Sequence, residues 1–262
     1  MSFYLAGMYS KNHNTIVSWN EARRTEDFTY RVREEGYSFG QSYGYLVDYS
    51  QGNGFFNSQA EIDASGLNYG FGAIRVGDLR YQDLNGDGII DERDQGPIGN
   101  GAIPRVTYSF SGGLQYGAFD MNFIFQGLGD YSSIITGNGI WETANGGMFT
   151  ALHQNAWTPE RYANGETITW PALSTEKSVN HEASDFVNFD RSYLRLRNLE
   201  LGYTLQREAT KKIGFDQIRI VLSGQNLLTW DKMKTKDFGP EGGGYMSFPV
   251  YRVYSFGVNL ML

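Results

Sequence analysis

The chain has 262 residues, with 33 Gly against 6 Pro and 15% aromatic side chains, which suits a β-rich protein with many turns. A formal charge of −7 leaves no surplus of Lys and Arg to meet phosphates and excludes a nucleic-acid partner, while the lack of any Cys excludes disulfides and thiolate metal sites. No apolar run approaches the ~20 residues that cross a bilayer as a helix, but a barrel strand crosses with ~9–11 residues, half of them polar, and escapes that test.

In chain order, seven strands are expected, at about 2–9, 14–24, 105–116, 119–127, 192–205, 216–227 and 250–262. The clearest is the last, where Tyr254, Phe256, Val258, Leu260 and Leu262 alternate with Ser255, Gly257 and Asn259. A period of two gives a strand one oily and one wet face. Phe119, Met121, Phe123 and Phe125 repeat the pattern against Asp120 and Asn122, as do Ile218, Ile220 and Leu222 against Arg219 and Ser223. Between Leu196 and Leu199 the oily parity switches, which predicts a bulge near Arg197 and Asn198.

The links at 10–13, 117–118 and 206–215 are short, and those at 25–104, 128–191 and 228–249 are long. This alternation fits an antiparallel transmembrane β-barrel segment with tight periplasmic turns and long extracellular loops. A soluble β-sandwich shares the alternation of oily and polar residues. Aromatic placement favours the barrel, with Tyr116 and Phe119 beside a short turn and Tyr251 and Tyr254 near a strand start, where membrane interfaces attract such rings. Residues 1–30 lack the basic start and apolar stretch of a secretory signal, so a barrel reading implies a piece of something longer.

One segment has metal-ligand spacing. Asp83, Asn85, Asp87, Asp91 and Asp94 fall at positions 1, 3, 5, 9 and 12 of a loop, with Gly88 at position 6 and the Ile89 carbonyl at position 7. That is the EF-hand arrangement and predicts a structural Ca2+, held weakly because Asp94 stands where a longer Glu is usual. The alternative is an Asp/Asn/Gly-rich turn without an ion.

His13, His153 and His181 form no ligand-spaced set. The carboxylate pairs Asp91/Glu92 and Glu61/Asp63 suit solvated loops better than glycosidase chemistry. Trp141, Trp157, Trp170 and Tyr245 lie in the long loops, where they either stack on a substrate or form small loop cores. Gly242, Gly243 and Gly244 lack the strand-to-helix context of a phosphate loop.

Several segments together carry a family signature. Gly77-Asp78-Leu79-Arg80-Tyr81-Gln82-Asp83 runs through the acidic loop to Ile98-Gly99 and Pro104. Phe119-Asp120 with Gln126-Gly127, Trp157-Thr158-Pro159, Ser192 to Leu199 with Leu201-Gly202-Tyr203, and Ser223 to Leu228 follow in order. From about residue 37 onward the chain resembles the SusC/RagA family of TonB-linked outer-membrane proteins. The resemblance implies the C-terminal part of a large barrel in the cell outer membrane, without the N-terminal plug, that contributes to uptake of oligosaccharides or peptides. It further implies outer-membrane lipid around the wall, a SusD-like surface lipoprotein over it, energy from TonB through the missing N-terminal region, and no catalysis. Gln206 in place of a common proline, Phe238-Gly239 within the usual Asp-Pro-Glu, and a terminal Leu262 in place of an aromatic depart from the pattern. The competing readings are a secreted, calcium-stabilised carbohydrate-binding or adhesive β-domain and a glycan-cleaving enzyme.

Overall fold

The computed structural model describes residues 1–22, 25–28, 34–142 and 147–262. Twelve strands run in chain order as β1 (Ser2–Lys11), β2 (Ser42–Gly44), β3 (Asn68–Tyr69), β4 (Ile89–Ile90), β5 (Gly96–Ile98), β6 (Val106–Tyr116), β7 (Phe119–Gly129), β8 (Ser132–Ile134), β9 (Asn188–Asp190), β10 (Tyr193–Thr204), β11 (Gln217–Asp231) and β12 (Val253–Met261). Three short helices, α1 (Gln59–Ser65), α2 (Pro159–Ala163) and α3 (Arg207–Lys211), lie in the connections.

Six long strands form one antiparallel sheet in the order β1-β6-β7-β10-β11-β12, a meander in which each strand pairs with its predecessor among the six. The register aligns their alternation into rows. Phe3, Leu114, Met121, Leu201, Leu222 and Phe256 stand opposite one another across all six strands, and Tyr116, Phe119, Tyr203, Ile220 and Val258 form the row beside them. These side chains face out, with Phe119 63%, Leu222 54% and Phe256 67% exposed. No second sheet covers them: the other sheets among the described residues are two-stranded. A sandwich would have turned this face inward, so the soluble alternative fails. A contiguous oily surface of this extent is stable only against lipid or another apolar partner. Among the described residues no helix is long and apolar enough to cross a membrane.

The expected strand at 14–24 is absent over residues 14–22, and residues 23 and 24 lie outside the described residues. Its backbone is captured locally instead. Asn14 accepts from the Phe39 amide at 2.7 Å, Ile16 exchanges backbone bonds with residues 36 and 37, and Asn20 takes a positive φ that ends any extended run. The wall therefore has six strands here rather than seven, and β1 runs opposite to the direction that a short first turn would give it. The alternation of connections survives, because β1 now leads straight into the first long segment. The bulge lies where the parity switch placed it, between Leu196 and Asn198, with Arg197 as the extra residue against β7.

The long connections meet in one cap at the end of the wall away from the short turns. Its core joins all three: Tyr45, Phe56, Tyr69, Leu79, Tyr81 and Ile90 from the first, Ile140, Trp141, Trp157, Trp170, Val187 and Phe189 from the second, and Met233 from the third. Each large side chain buried there contributes roughly 1.5–3 kcal/mol of transfer free energy. Polar bonds knit the same segments. Asn180 accepts from the Leu79 amide at 2.7 Å and donates to Asp78 at 2.8 Å, and Asp185 accepts from the Val47 amide at 3.0 Å. Gly77 sits at φ +90° against the Trp157 ring, where a Cβ would approach ring carbons to 2.5 Å. Only glycine combines that backbone with that closeness.

Candidate functional site

The inward face of the wall is polar. Tyr4, Asn122, Glu200, Ser223 and Ser255 share one row. Next to it Arg219 on β11 donates from Nε to Asp120 on β7 at 3.1 Å and from Nη2 to Glu200 on β10 at 2.7 Å. The guanidinium reaches two strands away because Gly202 lies between them; a Cβ there would come within 2.3 Å of the Asp120 carboxylate. The site is thus a ladder of bonded charges facing a wet interior, opposite the oily rows. Tyr4 Oη extends the ladder by donating to Asn122 at 3.3 Å.

At the cap end, buried Arg195 of β10 pairs with Glu241 of the third long connection. The Glu241 carboxylate also accepts from Tyr193 Oη at 2.7 Å, and Arg197 lies 3.7 Å away. Burial works to raise the Glu241 carboxyl, but the Tyr193 and Arg195 hydrogen bonds and the nearby guanidinium charges hold it below the usual carboxylate range. Arg191 supplies a second anchor, donating to the carbonyls of Pro240 at 2.7 Å and Gly242 at 3.0 Å. Sequence patterning marked Arg197 only as part of the bulge and did not single out Arg191 or Arg195, since a period-two reading treats polar strand residues alike. The glycine run at 242–244 serves as an anchored loop tip.

The acidic loop closes on itself. Asp83 accepts from the Gly86 and Gly88 amides at 2.7 and 2.8 Å, Asn85 from the Asp87 amide at 3.0 Å, and Asp87 from the Ile89 amide at 2.8 Å. Ile89 pairs with Asn68 in the short parallel β3–β4 ladder. Buried Asp94 accepts from the Leu84 and Asp91 amides, both at 2.8 Å; burial pushes its carboxyl up despite those bonds. Arg93 Nη2 stands 2.7 Å from both Asp87 and Asp91. Among the described residues no group of three or more acidic or histidine side chains is arranged to hold a metal ion. In this arrangement the loop oxygens accept from the loop's own amides, and Arg93 bridges Asp87 and Asp91.

The aromatic residues divide. Trp141, Trp157 and Trp170 are 4%, 6% and 2% exposed and pack into the cap, where three loops supply the apolar surface of a shared core. Trp157 Nε1 donates to Asn57 at 3.0 Å. Tyr245 packs on Phe238 with ring centroids 5.0 Å apart and donates to Asp237 at 2.6 Å. Trp170 edges a cavity of about 610 Å3 whose walls include Tyr49, Asn53, Phe55, Asn155 and Lys234. Burial lowers the Lys234 ammonium, which lies over the Phe186 ring at 5.2 Å. That cavity draws on all three long connections, a juxtaposition invisible to local patterning.

Histidines and isolated carboxylates take structural places. His153 Nε2 lies 2.9 Å from the Ile140 carbonyl, and His181 stacks beside Trp141 at 4.8 Å, 3.7 Å from Glu142. Glu61 accepts from the Asn57 amide at 2.8 Å at the start of α1, and Asp63 from Gln59 at 2.9 Å.

With this geometry described, comparisons with known proteins place the chain. No protein-family model matches it. TonB-dependent receptor P3 of Formosa agariphila is 31% identical over 251 residues, covering 88% of this chain and 23% of that receptor. TonB-dependent receptor P26 of the same organism is 30% identical over 227 residues, with 79% of this chain and 21% of the receptor covered. The chain thus spans about a quarter of the length of the curated relatives it matches. Among solved structures, the RagAB peptide importer in its open-open state superposes with a TM-score of 0.64 at 21% identity, over 99% of this chain and 26% of the matched chain. The closed-closed state gives 0.60 at 20% identity. A sheet with one oily outer face, a charged inner face and a looped cap, matched over most of its length by such receptors, belongs to the SusC-like family of TonB-dependent receptors of the outer membrane.

Proposed function

We propose that the chain forms an arc of wall and outer cap in a receptor that takes up a nutrient across the outer membrane, without catalysing a reaction. The carrying observation is the division of surfaces. One face of the sheet is oily across all six strands, the other carries the Arg219–Asp120–Glu200 ladder, and the three long connections share a single core above the rim. Such a wall separates lipid from a wet lumen, and such a cap presents a preformed surface to solutes outside.

Within this reading the receptor draws its energy from TonB through a segment outside this chain, and a SusD-like surface lipoprotein covers it. The solved neighbours are a peptide importer, and that favours a peptide over an oligosaccharide as cargo. The acidic loop is a structural brace in which Arg93 bridges Asp87 and Asp91, and calcium would have to compete with that guanidinium for those two carboxylates.

The test is a chromosomal deletion of the receptor, grown on single polymeric nutrients, with uptake of labelled peptides and oligosaccharides measured beside a strain lacking TonB. Loss of uptake of one class in both strains is expected. Unchanged uptake of every class in the deletion strain, or uptake that persists without TonB, refutes the reading.

A further inference from the structure

The oily face is not uniformly convex. Near the short-turn end, four central strands enclose a groove of about 310 Å3 whose walls include Tyr116, Phe119, Met121, Tyr203, Ile220 and Leu222. Its rim is aromatic: the Phe119 and Tyr203 rings meet at 4.6 Å, and Tyr116 is 68% exposed beside them. The strands that build it are paired on both sides, so an edge neighbour adds nothing to its floor. Just beyond it the β10–β11 connection turns through α3 and presents Lys211, Lys212 and Ile213, all exposed.

We propose that this groove is a specific binding site for an anionic glycerophospholipid, with an acyl chain in the groove and the phosphate at Lys211 and Lys212. The occupant follows from continuity and charge. The groove opens on the face that meets hydrocarbon, and a chain lying there keeps its contacts with the same solvent while gaining the packed walls. Rings at the rim sit at headgroup depth, where Tyr and Trp are enriched. Two ammonium groups at the membrane border attract anionic lipid and can extend their stems along the surface. Ile213 is exposed beside these lysines, just before the turn at Gly214. The proposal concerns lipid, not cargo, and does not depend on which nutrient is carried.

The experiment uses the full-length receptor in nanodiscs of phosphatidylethanolamine containing phosphatidylglycerol with a photoactivatable acyl chain, with adducts mapped by mass spectrometry. Label should concentrate on peptides bearing Met121, Leu201 and Leu222 over the more exposed Phe256 peptide, and unlabelled phosphatidylglycerol should compete it away. Met121→Trp, which fills the groove, should lower that label about tenfold, the effect of losing roughly two methylene contacts. Lys211→Ala with Lys212→Ala should lower the preference for phosphatidylglycerol over phosphatidylethanolamine by about tenfold while leaving groove labelling by the latter. Heat-modifiable migration checks that each barrel is folded, and Leu222→Ala provides a second, groove-widening variant that should weaken labelling. Label spread evenly over the oily face, or unchanged by Met121→Trp and Leu222→Ala in folded barrels, means annular lipid only and overturns the site.

Discussion

Glu241 fastens the third long connection to the wall, and its removal tests whether the cap is held by charge as well as by its core. Glu241→Ala leaves Arg195, 3% exposed, with a hydrogen bond to Thr229 Oγ1 at 2.9 Å and the Tyr193 ring at 5.1 Å. Breaking one half of a buried pair costs ~3–5 kcal/mol. The Glu241 side chain keeps 27% of its surface in water, which discounts the loss to about 2–3 kcal/mol. At ~1.4 kcal/mol per factor of ten, amides in residues 237–245 should exchange about 30–150 times faster in the full-length receptor. Arg191 still holds the Pro240 and Gly242 carbonyls, so the opening stays local. The double variant Arg195→Met with Glu241→Met removes both charges and should recover most of the protection, because a paired removal strands no buried ion. Hydrogen exchange by mass spectrometry reads all three proteins. An effect below threefold for Glu241→Ala, or a double variant that exchanges as fast as Glu241→Ala, refutes the reasoning.

Three further outcomes follow from the cap. Gly77→Ala places a methyl within 2.5 Å of the Trp157 ring at φ +90° and should cost about 2–5 kcal/mol, ~1–2 from the left-handed backbone and ~1–3 from overpacking; limited proteolysis should then cut residues 150–180, and an intact cap would contradict it. In the acidic loop, chelation should leave cap protection unchanged in the parent, whereas Arg93→Ala should make that protection depend on added calcium, read by hydrogen exchange with and without the ion. The pH response has two signs. Asp78 and Asp185 are raised, chiefly by burial, so their protonation favours the folded cap as pH falls. Glu142 is lowered: burial opposes its charge, but the His181 bond and the Ser174 amide outweigh it, so Glu142 and Glu241 stabilise the cap above the unfolded value of ~4.3 and lose that contribution as pH falls through their lower folded values. Cap stability followed by tryptophan fluorescence should therefore hold or rise from pH 7 to about 5 and fall below about 4; a fall that begins near 6 would contradict this assignment.

The wall was legible in the sequence because its physics is local. Whether Phe123 faces lipid is decided by its distance along the strand from Met121, and the parity switch at Leu196 and Leu199 marked the bulge without any knowledge of neighbours. The 14–22 segment failed for the complementary reason. Val17 and Trp19 alternate with Ser18, but Asn14 and Glu21 accept from loop amides and Asn20 takes a positive φ, and alternation cannot see such competition. The cap core was out of reach because Tyr81 meets Val179 and Leu79 meets Asn180, about a hundred positions away, through single bonds with no periodic trace. The acidic loop shows a third limit, since its spacing matches a calcium site while the bonds of Arg93 to Asp87 and Asp91 leave no trace in that spacing.

One strand carries both solutions to the solvent problem, and the bulge is what lets it do so. On β10, Leu199 and Leu201 face out with Phe123 and Met121, and so does Leu196 with Phe125, although an unbroken strand would have turned Leu196 inward. Arg197 absorbs the change of parity. Beyond it lies Arg195, whose charge is buried under Glu241 where the cap begins, while the Phe125 ring approaches Trp230 at 6.3 Å on the outside. A regular strand could keep oily residues toward lipid only by giving up the arginine's inward aim at the rim. The single extra residue therefore separates the segment that obeys the membrane from the segment that anchors the cap. Deleting Arg197 should consequently disturb both at once, exposing Leu196 to the lumen and loosening residues 237–245, whereas Arg197→Ala, which keeps the residue count, should leave the register intact. Cysteine labelling of position 196 from the lumen side in the two variants distinguishes them, and equal labelling would show that the bulge does not set the register.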